Sequence, residues 1–448
     1  MRRTLLAVAL TLAVAPPLHA QQQPATAPAQ DAPIAASDDP SAGASANSAV
    51  PLDEIRHFVT VYDSIRQAYV EPRSDAQLMH AAVRGLLFDL DPHSVYFDRD
   101  DAADFDADAE GQYDGLGVEV QQQPGPALKI VAPMDGSPAA RAGLRAGDLI
   151  TGIDGKAVDT DNGSKPLRGK AGTPVKLTIR RGNAKPFDVT LVREKIVVPS
   201  VQSKLLEPGF GYVRASGFQA NTAVEFEHAV ASLSKAAPMR GLVIDLRSNP
   251  GGLLNAAVQM ADDLLDSGVI VSTRGRLKGG DTVYRATPGD LLHGAPVVLL
   301  VDAGSASASE VLAGALQDSR RARIVGSRTF GKGSVQSLLP LDNGDAVKLT
   351  TARYYTPKDR SIQGVGIVPD VAVHADGRGG ITEYREAALP GHLRGDNEMA
   401  GETGGEVLPG DQAISVALAE LKRMAGVPAA PAPAPKPATK PAAGKPPR

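Results

Sequence analysis

The chain has 448 residues, of which 42% are hydrophobic and 22% charged, with a formal net charge of −4 and no cysteine. This length has room for roughly two or three domains, and the lack of cysteine excludes disulfides, a cysteine nucleophile and thiolate metal ligands. The charge is ordinary for a globular protein, and no basic stripe points to nucleic-acid binding.

The first twenty residues have the pattern of a secretory signal peptide. Two arginines precede an apolar run from Leu5 to Ala15, and Ala20 stands before three glutamines. A charged, an apolar and a small-residue region in this order is typical of a cleaved signal, and the run is too short to span a bilayer. We therefore expect a periplasmic protein, with an N-terminal membrane anchor as the alternative. Residues 21–50, rich in Ala, Pro and Gln, are interpreted as a disordered linker.

A helical module is predicted over residues 51–105. Apolar residues recur at three- and four-residue steps from Ile55 to Tyr69, which is helical periodicity. The stretch "DAQLMHAAVRGLLFDL" repeats this pattern and ends at Asp91-Pro92. Short β-like runs around a single helix signal, "SPAARAGL", then predict a small half-open barrel over residues 110–195.

Strands and helices alternate over residues 196–375. Apolar strands such as "GLVIDL" and "APVVLLVD" are followed by helical patterns, which predicts a mostly parallel sheet buried on both faces. The pattern weakens in the C-terminal region, residues 376–426, and residues 427–448 form a Pro/Ala/Lys-rich tail that we expect to be disordered. The C-terminal region and the helical module are expected either to form a dimer contact or to dock onto the α/β core.

In two stretches of the α/β region, residues that could take part in catalysis lie between a strand and a helix. In "DLRSNPGGLLN", Gly251 and Gly252 either make a tight connection or offer backbone N–H groups to a developing negative oxygen. In "GSASASEV", Ser307 and Glu310 have the spacing of a capping box. The same serine could be a nucleophile, because the Ala308 N–H at the helix start would point at an incoming carbonyl.

A third stretch, "RTFGKGSVQ", places Lys332 between two glycines. This lysine is either an exposed loop residue or, if burial lowers its pKa, a general base for a serine, with Gln336 orienting its amine. No histidine lies in a recognisable triad element or metal-binding spacing, and no dinucleotide fingerprint or P-loop occurs. The histidines of the mature chain are His57, His80, His93, His228, His293, His374 and His392.

From about Leu52 to Val373, these motifs and "LTTARYYTPKDRSIQGVGIVPD" resemble the carboxyl-terminal processing, or tail-specific, proteases of serine peptidase family S41. The resemblance implies an α/β core of the crotonase/ClpP-like class with an inserted PDZ domain. It implies Ser307 as the nucleophile, Lys332 as its general base and Gln336 as the residue that holds the lysine. The oxyanion hole would be the amides of Gly252 and Ala308, with Gly251 as the second choice, while Ser305 and Ser309 would be structural.

The β-rich segment over 110–195 is similar to a PDZ domain. The resemblance implies a carboxylate-binding loop at Gly115, Leu116, Gly117 and Val118, with Leu116 as a wall of the pocket. A peptide tail would add as a strand beside residues 117–121. Tail binding would also shift the PDZ domain and align Lys332 with Ser307.

The resulting prediction is a periplasmic Ser/Lys endopeptidase that cleaves proteins near their C-termini without a metal or cofactor. Its partners would be the C-terminal tails of unfolded or processed proteins; a lipoprotein adaptor, a homo-oligomer and an association with the inner membrane are left open. The alternatives are a non-catalytic PDZ adaptor on an inert α/β scaffold, a trypsin-like Ser-His-Asp PDZ protease and a crotonase-type acyl-CoA enzyme.

Overall fold

The structure is a computed structural model that describes residues 51–428 except 124, 159–162, 277–280, 375–381 and 399–403. The predicted signal peptide and linker, and the tail from residue 429 onward, lie outside the described residues. No helix in the described ranges has both the length and the apolarity needed to cross a membrane. The helices are α1 Leu52–Ala68, α2 Asp75–Phe88, α3 Arg99–Glu110, α4 Pro138–Arg141, α5 Thr222–Ala236, α6 Leu254–Asp262, α7 Ala308–Asp318 and α8 Gln412–Met424, with short 3₁₀ turns at Lys165–Leu167 and Glu386–Ala388.

The strands are short and numerous, as the turn-rich sequence predicts. In chain order they are β1 Val95–Phe97, β2 Gln112–Gly115, β3 Val118–Gln122, β4 Leu128–Pro133, β5 Leu149–Ile153, β6 Lys156–Ala157, β7 Pro174–Arg180, β8 Phe187–Val192, β9 Glu194–Val197, β10 Val201–Glu207, β11 Phe210–Ala215, β12 Gly241–Asp245, β13 Val269–Gly275, β14 Thr282–Arg285, β15 Val297–Val301, β16 Ala322–Gly326, β17 Ser334–Pro340, β18 Ala346–Tyr355, β19 Val371–Ala372, β20 Thr382–Tyr384 and β21 Gly404–Glu406.

The N-terminal module begins with the two predicted helices, and a capping box between Ser74 and Gln77 starts α2. The apolar side chains of α1 stay exposed, with Ile55 at 42% and Phe58 at 45% of full exposure. Two further elements of the module were not predicted from the sequence. Strand β1 pairs antiparallel with β18, and helix α3 starts at the Asp98 cap. The module is therefore joined to the same sheet as the strands that follow Lys332.

The β-rich segment forms a sheet with the strand order β3-β4-β5-β7-β8, in which β6 pairs with β5. Its apolar residues alternate with polar ones, and the inward-facing set packs with α4 into a separate core. That core includes Leu116, Leu128, Ile130, Ile150, Leu177 and Ile179. Strand β3 pairs with β4 only, so its other edge is unpaired among the described residues.

The α/β segment forms a six-stranded sheet in the order β10-β11-β12-β15-β16-β19. All neighbours are parallel except β10, which runs antiparallel at one edge. Alternate strand residues point to opposite faces: one face packs with α5, α6 and α7, and the other packs with α8. Burial on both faces explains the uniformly apolar strands, and α8 shows that the C-terminal region docks onto this core.

A second sheet has the order β1-β18-β13-β14 with β17 paired to β18. Its residues Ile270, Val271 and Tyr354 belong to the same core cluster as the first sheet and α5–α7. The β17–β18 hairpin directly follows the loop that carries Lys332. A mixed α/β core, a PDZ-type barrel and N-terminal helices are thus all present, which confirms the predicted fold class.

Candidate active site

Ser307 lies at the turn between the buried strand β15 and helix α7. Its backbone has φ 54° and ψ −114°, in a region that a residue with a Cβ adopts only when its surroundings impose it. Such a conformation costs on the order of 1–3 kcal/mol. Ser307 is 8% exposed, and the Ala306 N–H just before it donates to Asn249 O at 3.0 Å. The strand and the loop after β12 therefore hold the serine in a strained and defined position.

Ser305 and Ser309 are both fully buried and fix this turn by hydrogen bonds. The Ser305 hydroxyl donates to Leu246 O at 2.8 Å, and the Ser309 hydroxyl donates to Asn249 O at 3.0 Å. Each hydroxyl hydrogen is therefore used in a bond to a backbone carbonyl of the neighbouring loop. Of the three serines, Ser307 is the one whose hydroxyl has no such backbone acceptor in the described chain.

Glu310 connects the Ser307 turn to the Lys332 loop, and its side chain is completely buried. Its Oε2 accepts the N–H of Ser307 at 2.8 Å and the N–H of Lys332 at 2.9 Å. Its Oε1 accepts the Thr329 hydroxyl at 2.5 Å and the Gly331 N–H at 2.7 Å. Burial raises the pKa of Glu310 to about 7, and these four donors oppose that rise. Sequence reasoning treated Glu310 only as a capping partner.

The Gly251-Gly252 loop packs directly against the Ser307 turn. A Cβ on Gly251 would lie 2.8 Å from Ala306 O and 2.9 Å from Ser307 Cβ, so only glycine fits there. The Gly251 N–H already donates to Asn249 Oδ1 at 2.9 Å. In the described structure the N–H groups of Gly252 and Ala308 have no acceptor. These two amides, and not that of Gly251, are available to an oxyanion.

Lys332 is partly buried on the loop that runs from β16 to β17. The Phe330 N–H donates to Ser305 O at 3.0 Å, which fastens this loop to the serine turn. Burial lowers the pKa of the Lys332 amine, and the like charge of Lys348 lowers it further. Three carboxyl groups act in the opposite direction, those of Glu386, Glu310 and Asp91. The net lowering favours the neutral amine that a general base requires.

The Ser307 hydroxyl and the Lys332 amine are not hydrogen-bonded to each other within the described chain. Tyr354, which is buried on β18, lies near Ser307. Burial raises the pKa of the Tyr354 phenol strongly, and the nearby Ser307 side chain offsets part of that rise. The Tyr354 N–H donates to Gly333 O at 2.8 Å, so Ser307, the lysine loop and β18 meet at one place.

Gln336 lies on β17 and is partly buried. Its side-chain amide nitrogen donates to the Ser334 hydroxyl at 3.0 Å and to the Thr350 hydroxyl at 3.1 Å. Both amide hydrogens therefore have acceptors, and the amide oxygen is left without a donor in the described structure. No hydrogen bond joins this oxygen to the Lys332 amine within the described residues.

No histidine is hydrogen-bonded to Ser307 in the part of the chain that the structure describes. His93 Nε2 lies 2.8 Å from the buried Glu386 carboxylate, and His392 Nε2 lies 2.8 Å from Glu398. Ser248, in the stretch "RSNPGG" before the Gly251-Gly252 loop, is exposed, and its hydroxyl is not hydrogen-bonded to a histidine among the described residues. The geometry gives that alternative no support.

Leu116, Gly117 and Val118, which the sequence predicts to bind a peptide tail, line a cavity of about 430 Å³ at the β3 edge. Gly115, predicted with them, instead ends strand β2 opposite Glu194. Val120, within the predicted tail-binding strand 117–121, also lines the cavity. Residues that the sequence did not predict line it too, among them Tyr113, Leu167 and Arg168. The last two come from a loop about fifty residues further along the chain, and no local signal marks them.

Arg168 joins this cavity to helix α3. Its guanidinium lies 3.5 Å from Asp104 and 3.4 Å from Asp108, and it stands over the Tyr113 ring at 5.0 Å. A larger cavity of about 960 Å³ lies between α5 and residues 291–296. None of the predicted site residues lines this larger cavity, which is therefore separate from the serine site.

Three family descriptions match the chain. Residues 209–373 match peptidase family S41, residues 129–181 match a PDZ domain, and residues 18–101 match the N-terminal domain of the activating protease CtpB. Together with the fold and the motifs, these matches define the class of the protein, a peptidase with a PDZ domain.

Curated relatives make the assignment more specific. The chain is 40% identical over 383 residues to the carboxy-terminal-processing protease of Bartonella bacilliformis, covering 83% of this chain and 88% of the relative. It is 35% identical to the carboxy-terminal processing protease CtpA of Bacillus subtilis, covering 69% and 67%. A solved photosystem II D1 C-terminal processing protease is 33% identical over 70% of this chain and 92% of that one, with a TM-score of 0.43. The chain belongs to the carboxy-terminal-processing proteases of peptidase family S41, and it is a serine-type peptidase.

Proposed function

We propose that this peptidase cleaves proteins near their C-termini with Ser307 as nucleophile and Lys332 as general base. The observation that carries the proposal is the shared contact at Glu310, whose Oε2 accepts both the Ser307 and the Lys332 backbone N–H. Two residues 25 positions apart in sequence thereby become neighbours. Partial burial of the lysine supports the same assignment, because a base must be neutral to accept a proton.

The reaction follows from these positions. Neutral Lys332 takes the Ser307 proton as Oγ bonds to the substrate carbonyl carbon, and the Gly252 and Ala308 amides bind the resulting oxyanion. Lys332 then returns the proton to the leaving amine as the peptide bond breaks, which gives an acyl-enzyme. A water molecule, deprotonated by the lysine, hydrolyses that ester and restores the serine. Gln336 holds the lysine amine through its side-chain oxygen.

Tail recognition is proposed for the cavity at β3. The unpaired β3 edge allows an added strand, and the cavity beside it is lined by Leu116, Val118 and Val120, which suit apolar side chains of a tail. The test is fluorescence anisotropy with a labelled peptide that ends in apolar residues. Val120→Asp is expected to abolish binding, and Val131→Asp, an exposed position on β4 outside the cavity, is the matched control. Equal binding by a peptide with an amidated C-terminus would contradict carboxylate recognition.

A periplasmic location is part of the proposal and rests on the sequence pattern of residues 1–20. Cell fractionation of a bacterial host expressing the full chain, with N-terminal sequencing of the product, tests it. Recovery of an uncleaved chain in the cytoplasmic fraction would overturn it.

The deciding experiment for activity is mass spectrometry of a small protein with an apolar C-terminal tail after incubation with wild type, Ser307→Ala and Lys332→Ala. Cleavage by wild type alone is the expected result. Cleavage by Lys332→Ala would contradict the base assignment, and cleavage by Ser307→Ala would contradict the nucleophile.

A further inference from the structure

A chain of hydrogen bonds leads from the N-terminal module to Gln336. It starts at Asp91, which is 4% exposed and lies in the stretch "LDPHS" before β1. The Asp91 carboxylate accepts the N–H groups of His93 and Ser94 at 2.8 and 2.9 Å and the Ser94 hydroxyl at 2.8 Å. It also accepts the Thr350 hydroxyl at 3.1 Å. A carboxylate with four donors acts here only as an acceptor.

The direction of the next bond follows from this. The Thr350 hydroxyl has one hydrogen, and it is given to Asp91, so its oxygen can only accept from Gln336. Gln336 faces Thr350 directly across the β17–β18 ladder, at a bulge between Val335 and Gln336. Its amide nitrogen donates to Thr350 at 3.1 Å. The other neighbour, the Ser334 hydroxyl, can donate or accept, and so it does not decide the orientation of the amide.

We propose that Asp91 and Thr350 are positioning residues that fix the Gln336 side-chain amide with its nitrogen toward Thr350 and its oxygen toward Lys332. This inference rests on the proposed Ser307/Lys332 chemistry and deepens it. If the amide were reversed, its nitrogen would take the place of the oxygen that the proposed mechanism assigns to the lysine amine, and a donor would stand where an acceptor is needed. The N-terminal module thereby acts on the general base through Thr350 and Gln336.

The charged groups around Lys332 must be kept constant in a test. They are Glu310, Glu386, Asp91 and Lys348, with His93 bonded to Glu386. Thr350→Val removes the hydroxyl, changes none of these charges and keeps the β-branched shape. Thr350→Ser restores the hydroxyl. The matched control is Thr351→Val, since the Thr351 hydroxyl pairs with Ser337 at 2.7 Å on the other side of the same strand.

Thr350→Val is expected to lower kcat/KM by about tenfold, the effect of one lost hydrogen bond, and Thr350→Ser to retain activity within about twofold. The acid limb of the kcat/KM profile should move to lower pH, because a carbonyl acceptor favours the lysine ammonium and its loss lowers the pKa of Lys332. A purely structural defect would lower the rate without moving this limb. Thr351→Val should match wild type in both respects.

A double-mutant cycle completes the test. Because Thr350 acts through Gln336, Thr350→Val should add almost nothing in a Gln336→Ala background. Additive losses, or a Thr350→Val enzyme with the rate and pH profile of Thr351→Val, would overturn the inference while Ser307→Ala and Lys332→Ala remain inactive. Retained cleavage by either of those two variants would instead refute the proposed function.

Discussion

Glu310 and Lys332 are joined by a hydrogen bond of 2.9 Å from the lysine backbone N–H to Glu310 Oε2, and the glutamate is fully buried. The same oxygen accepts the Ser307 N–H. One carboxylate therefore links the lysine loop to the serine turn, in addition to the bond from the Phe330 N–H to Ser305 O. This residue belongs to helix α7, one turn after the serine, so its location is set as soon as that helix forms.

Glu310→Ala is expected to lower the free energy of unfolding by about 3 kcal/mol, because three backbone N–H groups and the Thr329 hydroxyl lose their acceptor. Proteolytic activity should fall by at least about 100-fold as the lysine loop shifts. Glu310→Gln should lose less stability, since one oxygen still accepts. Urea unfolding with parallel rate measurements checks both variants. Wild-type stability in Glu310→Ala would show that the carboxylate does not hold the two segments.

Gly252→Ala is expected to abolish cleavage. Gly252 has φ 139°, and a Cβ there would collide with the Phe218 carbonyl, so the strand-to-helix loop and its free amide must move. Gly268→Ala is a control with a similar backbone strain, because Gly268 has φ 106° and no atom within 4 Å of an added Cβ. Circular dichroism and rates of the two variants separate loss of the loop geometry from general strain. Active Gly252→Ala would exclude this amide from the oxyanion hole.

Lys348→Met is expected to move the acid limb of the kcat/KM profile to higher pH. Lys348 lowers the pKa of Lys332 through like-charge repulsion, so its removal raises that pKa and leaves less neutral base at pH 7. Activity at pH 7 should fall several-fold and recover at alkaline pH. Lys129→Met, at an exposed position on β4, is the control. A limb that stays in place or moves to lower pH would contradict the electrostatic role.

Asp263→Asn is expected to stabilise the protein at neutral pH. Burial raises the pKa of Asp263 to about 6, and its Oδ2 is buried without a hydrogen-bond partner in the described structure. Because the folded-state pKa lies above the ordinary value of 3.8, wild-type stability is lost as the pH rises from about 4 through 6. The variant should gain about 1–3 kcal/mol at pH 8 and almost nothing at pH 3. Exposed Asp135→Asn, measured alongside, should change nothing at either pH.

Local patterns were sufficient for the motifs and for most of the elements, but not for β1, α3 and α8. Consecutive residues alone show the apolar strand before Ser307, the glycines around Lys332 and the periodicity of α1. The helices and strands predicted from such patterns are present. What α1 packs against could not be predicted, since periodicity shows an apolar face but not its partner, and that face is exposed in this chain. Helix α8 was not predicted, because residues 376–426 show little regular spacing of apolar residues.

The sequence by itself determined the α/β and PDZ architecture, the family, and the candidate residues Ser307, Lys332 and Gln336. Only the tertiary structure decided how they are arranged. It placed Glu310 between the serine and lysine segments and assigned the Gly251 amide to Asn249. It also brought Thr350 to Gln336, from which it is 14 residues away in sequence, and Asp91 to Thr350, from which it is 259 residues away. These contacts arise from the packing of distant segments, and hydrogen-bond direction between them depends on which polar groups meet, which no local pattern encodes.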